Sequence, residues 1–94
     1  MTPSPTSGEL LVLVAVDREA DAVRAAIDDA GLAGRVDVVP GGVGRVNAAV
    51  TLTRTLLDRP EAPAAILNAG VAGALASADP PDIGDTVIAA ASVY

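Results

Sequence analysis

The sequence predicts an α/β fold, a three-layer αβα arrangement around a mainly parallel central sheet. Short apolar runs alternate with segments whose apolar residues recur at helical spacing. The first run, Leu10–Val16, is apolar throughout, as in a strand buried on both faces. The glycine-rich turn Gly41–Gly44 follows the second run and opens a helix.

Each element has its own signal. After the strand Leu10–Val16, Asp17 is placed to cap a helix. Ala20, Val23, Ile27 and Ala30 form that helix's apolar face, and Gly31 is placed to end it. Val36–Val39 reads as a second strand. Pro40, Gly41, Gly42 and Gly44 give a tight, permissive turn. A second helix follows, with Val46, Val50, Thr53 and Leu57 as its expected buried face and Pro60 and Pro63 as its stop. Ala64–Leu67 reads as a third buried strand. A loop over Ser77–Gly84 carries Pro80 and Pro81, and Thr86–Val93 reads as a fourth strand. Residues 1–8 read as a disordered polar tail with two prolines, and 9–94 as one domain. Two helices hardly cover four strands, and a parallel sheet needs both faces covered. The expectation is therefore the first part of a larger domain.

Composition narrows the chemistry. Of 94 residues, 51% are apolar and 19% charged, which is globular rather than disordered. Ala and Val dominate, and Tyr94 is the sole aromatic residue. The net charge of −6, with six scattered Arg and no Lys, argues against nucleic acid and anionic membrane partners. Without Cys or His, disulfide, thiol, zinc-finger and imidazole chemistry are excluded within the chain. The longest apolar run is far too short to span a bilayer, and no signal peptide is present, so the expectation is a cytoplasmic protein.

Ligands of open α/β sheets bind beyond the carboxyl ends of the strands. Three segments fall there. Glu19, after strand one, sits in a first helical turn, where a carboxylate is either a helix-start acid or a general base holding a water. Gly42-Val43-Gly44, after strand two, is either a tight turn or a ligand-binding one. A dinucleotide fingerprint would need its third glycine at Asn47, and the absence of Lys excludes a P-loop. After strand three, Gly70 and Gly73 flank Val71-Ala72. Such small residues allow close packing of chain on chain, or of backbone on a ligand.

Taken together, LLVLVAVDREADAV, GGVGRVNAAV, AILNAGVAGAL and DIGDTVIAAASVY resemble, in order and at suitable spacing, the N-terminal half of the nucleoside phosphorylase and nucleosidase family. The resemblance covers Leu10–Tyr94. Within that family the Asn68–Gly73 string is most similar to the futalosine hydrolases. These cleave an N-glycosidic bond with water in menaquinone biosynthesis, releasing hypoxanthine and dehypoxanthine futalosine. Methylthioadenosine/S-adenosylhomocysteine nucleosidases usually carry Ser where this chain has Val71.

The resemblance implies a nucleoside phosphorylase-like fold, a purine nucleoside substrate, no metal or organic cofactor and a homo-oligomer. It places Glu19 on the glutamate that activates the attacking water. Val43 falls near the 5′ substituent of the nucleoside, and Val71, Ala72 and Gly73 on the ribose and base pocket. Asn68 falls where hexameric phosphorylases carry a phosphate-binding Arg, and Asn lacks that charge and its forked donors. That favours water over phosphate as nucleophile. The leaving-group acid and the ribose-binding acid of the family have no match in the chain. Methylthioadenosine nucleosidase, purine nucleoside phosphorylase and a non-catalytic nucleotide-binding module remain alternatives.

Overall fold

The computed structural model describes residues 9–93. The expected tail at 1–8 and the terminal Tyr94 lie outside the described residues. Five elements follow in order: β1 (Leu10–Val14), α1 (Asp17–Asp29), β2 (Val36–Pro40), α2 (Arg45–Asp58) and β3 (Ala65–Asn68). The strands form one parallel sheet in the order β2-β1-β3. The protein is thus a small α/β unit with a three-stranded parallel sheet and two helices.

β1 is central, and Leu11, Val12, Leu13 and Val14 are all buried. One sheet face presents Val12 and Val14 with Leu10, Val36 and Val38, and α1 covers it with Ala20 and Val23. The other face carries Leu11, Leu13 and Asp37, by the register that sets Leu11 beside Asp37. α2 returns along that face. A Cβ at Gly41 would stand 2.9 Å from Leu13 Cδ1 and 3.5 Å from the Ala48 Cα. Glycine there lets the helix start approach the sheet closely.

α1 ends as the sequence predicts. Gly31 has φ +72°, its N–H donates to the Asp28 carbonyl, and the N–H of Leu32 donates to that of Ile27. This pair of bonds satisfies the last carbonyls of the helix. The start differs from expectation. Val16 holds the capping position and Asp17 is the first helical residue. Strand one accordingly stops at Val14 rather than Val16. Its last turn toward the helix is held by the Glu19 carboxylate, which accepts the N–H groups of Ala15 and Val16.

Two further expectations are corrected. On α2, Val46 is 72% and Leu57 78% exposed, and Val50 is exposed too. The face turned inward is Ala48, Thr51, Leu52, Thr55 and Leu56, half-buried, ending in the buried Arg59. Both stripes have helical spacing. Close approach at Gly41 favours the one that begins with the small Ala48, and Thr51 Oγ1 donates to the Gly41 carbonyl (3.2 Å). The second correction concerns Thr86–Val93, which forms no strand. A strand needs a neighbour for its backbone groups. The preceding turn, in which the Asp85 N–H donates to the Asp82 carbonyl, leaves this segment exposed and unpaired with the sheet. Strand three is also shifted by one residue, to Ala65–Asn68, and it is exposed rather than buried, because it pairs only with β1 and no helix covers it among the described residues.

α2 is anchored at its far end by a buried ion pair. Arg59 Nη1 lies 2.8 Å from Asp37 Oδ2, with side-chain exposures of 2% and 10%. Arg59 is extended, as befits a residue before Pro60. Removing one partner of a buried pair leaves the other charge uncompensated, at about 3–5 kcal/mol. Asp37→Ala is therefore expected to lower the urea midpoint sharply, and the double variant D37A/R59M to recover part of the loss. Urea unfolding followed by circular dichroism checks both.

Candidate functional site

The carboxyl ends of the three strands converge on one cavity of about 360 Å³. β1 leads into Ala15 and Glu19, β2 into Gly42, Gly44 and Arg45, and β3 into Asn68–Ala72, all of which line it. Parallel strands bring these segments together although they are far apart in sequence. A larger hollow of about 650 Å³ lies toward the β2 edge, between Arg24, Asp37, Thr55 and Arg59. It shares no lining residue with the smaller cavity.

Glu19 is the centre of the cavity's polar chemistry. Its Oε1 accepts the N–H of Ala15 (3.1 Å) and of Val16 (3.2 Å). Its Oε2 accepts the N–H of Val71 (2.9 Å). The carboxylate thus ties the end of β1, the start of α1 and the exit of β3 together. Gly70 makes the approach possible, because a Cβ there would stand 3.0 Å from Oε2. The Val71 N–H, above all, holds the Glu19 carboxyl below its ordinary pKa. Partial burial opposes this, and the N–H groups of Val16 and Ala15 add to it. At neutral pH the group is an anion. Each carboxylate oxygen has two lone pairs, so Oε1 is saturated and Oε2 keeps one for a water or a ligand hydroxyl.

The glycine turn supplies the opposite wall. Gly42 and Gly44 have φ +87° and +91°, a conformation that side chains rarely adopt. Asn47 Nδ2 donates to the Val43 carbonyl (2.9 Å) and braces the turn. Arg45 follows as the first residue of α2 and is the cationic side chain of the lining. Among the described residues no three carboxylates group together to hold a metal ion.

Of the residues singled out from sequence, Glu19, Gly42, Gly44, Asn68, Gly70, Val71 and Ala72 line the cavity. Val43 is 71% exposed and outside the lining. Gly73 is exposed, with open space where a Cβ would stand. Arg45 was not singled out, although a cationic residue directly after a glycine turn is a visible signal. Gly70 was marked for close approach, but its partner Glu19 lies 51 positions away along the chain, which no local pattern shows.

Comparison of the chain with protein-family models, with curated proteins and with solved structures finds no match.

A lowered carboxyl pKa stabilises the fold above the ordinary carboxylate value. That stability is lost as pH falls through the lowered value. Wild-type stability is expected to fall over this acid window, and Glu19→Gln to flatten the fall. Urea midpoints measured from pH 2 to 7 check it. Gly70→Ala is expected to displace the Glu19–Val71 bond and raise the Glu19 pKa toward its ordinary value, read by carboxyl-carbon NMR titration.

Proposed function

We propose that the chain is the N-terminal portion of an N-glycosyl hydrolase of the nucleoside phosphorylase and nucleosidase type, similar to futalosine hydrolase. One observation carries the reading: the Glu19 carboxylate meets the backbone of the Gly70–Ala72 segment at the carboxyl ends of parallel strands. On this reading the cavity takes a purine nucleoside, with Val71 and Ala72 against ribose and base. Val43 and Gly73, which the resemblance also assigns to the nucleoside, lie outside the lining.

N-ribosyl cleavage passes through a cation-like sugar. The ionised Glu19 stabilises that charge and takes a proton from water through the free lone pair of Oε2. Its depressed pKa makes it a better electrostatic stabiliser and a weaker base. Release of Val71 N–H from Oε2 would raise its basicity. The departing base must itself be protonated, and general acids contribute about 10²–10⁴-fold. No residue of the chain matches the family's acid for that step, so the 94-residue chain by itself is read as catalytically deficient.

Phosphorolysis is the second reading, and Arg45 in the lining favours it, since a guanidinium suits an oxyanion. Asn68 in the same lining favours water. The complete native polypeptide is expected to release hypoxanthine from futalosine without phosphate, in a coupled xanthine oxidase assay. Strict phosphate dependence selects the second reading, and no base release from any purine nucleoside defeats both. The 94-residue chain is expected to give no release above background.

A further inference from the structure

β2 lies at one edge of the sheet, and Val36–Val39 line the larger hollow of about 650 Å³. α1 adds Arg24, Ile27 and Asp28 to that lining, and the far end of α2 adds Thr55 and Asp58. The strand edge is thus flanked by a helix on each side. Ligand pockets run to about 300–1,000 Å³, so the hollow has the size of one.

The N–H of Leu10 donates to the Arg35 carbonyl, and that of Gly41 to the Val14 carbonyl. This alternation turns odd-numbered β2 residues toward β1 and even-numbered ones outward. The N–H and carbonyl of Val36 and the N–H of Val38 therefore face the open side. Among the described residues no strand pairs with them. The row stops at the next group, because the Val38 carbonyl accepts Arg24 Nη2 (3.1 Å) and Pro40 has no N–H. What remains is donor, acceptor, donor, the pattern that a few residues of extended backbone complete.

The charges beside this row are one-sided. Arg59 is paired with Asp37 and Arg24 with Asp21. Asp28 and Asp58 have no ion pair among the described residues. Each sits in the last turn of its helix, and neither helix has a basic residue there. A helix C-terminus already carries partial negative charge, so both carboxylates add to it. A cation from outside the chain offsets that charge. The rest of the wall is apolar, with Leu11 buried and Ile27, Val36 and Val39 half-buried.

We propose that the β2 edge is a docking site for an extended peptide segment of a partner protein, with lysine or arginine among apolar residues. Its backbone pairs with Val36 and Val38. Successive side chains of a strand point to opposite faces, so one set meets Ile27 and Asp28 and the other Thr55 and Asp58. Charge complementarity selects a basic segment, since an acidic one meets two carboxylates in a chain of net charge −6. The proposal does not rest on the nucleoside reading.

NMR titration of the 94-residue chain with a blocked pentapeptide of alternating valine and lysine tests it. The amide signals of Val36 and Val38 are expected to shift and saturate. The valine–glutamate counterpart is expected to bind at least tenfold more weakly. Asp28 and Asp58 are exposed, so the double variant D28N/D58N keeps the fold, and it is expected to weaken the lysine peptide at least fivefold. N-methylation of the peptide backbone is expected to abolish binding, which a site for cations alone would not show. Absence of a saturable shift at Val36 and Val38 up to millimolar peptide overturns the proposal. Equal binding of the glutamate peptide, an unaffected double variant or full binding after N-methylation overturns it as well.

Discussion

β1 is the constraint on which the structure depends. It is the one strand with hydrogen-bonded neighbours on both edges, and four of its five residues are buried. Its register fixes which side chains of β2 and β3 share a face, and so which face each helix covers. Its exit fixes the site as well. The chain leaves the sheet at Val14, and within five residues the Glu19 carboxylate has folded back onto the backbone it came from. That return leaves Oε2 available to the strand exit on the other side.

The site is consequently an electrostatic junction before it is anything else. Three backbone N–H groups from two segments converge on one anion. Such donors are fixed in place by the strands and need little reorganisation when a charge develops nearby. The same bonds lower the basicity of the carboxylate, so structural and chemical roles compete for the same lone pairs. Gly70 decides how close that competition comes, by leaving room where any other residue would place a Cβ.

What the sequence shows, and what it hides, divides by range. The termination of α1 at Gly31 is local, and the residue type there reveals it. Glu19 could be placed at the end of a strand for the same reason. The inward face of α2 was not legible, because the stripe Val46, Val50, Thr53 and Leu57 and the stripe Ala48, Thr51, Leu52, Thr55 and Leu56 both mix apolar residues and Thr at helical spacing. The choice is made by Gly41 against Leu13 and by Arg59 against Asp37, contacts that join distant parts of the chain. Thr86–Val93 has the local preference of a strand, but pairing is a property of two segments. The partner of Glu19, 52 positions away, is hidden for the same reason.

The attachment of α2 also has a thermal character. Beside the half-buried Ala48, Leu52 and Leu56, its anchors are polar: the Arg59–Asp37 pair and the Thr51 hydroxyl on the Gly41 carbonyl. None of its own residues is fully buried. Apolar burial carries the heat-capacity change of unfolding and weakens on cooling. The dehydration penalty of an ion pair instead falls as temperature rises. The α1 layer, packed on Val12 and Val14, thus follows the hydrophobic temperature curve. The α2 layer adds to its half-buried leucines an ion pair whose dehydration penalty shrinks with heat, so its attachment depends less on apolar burial alone than that of α1.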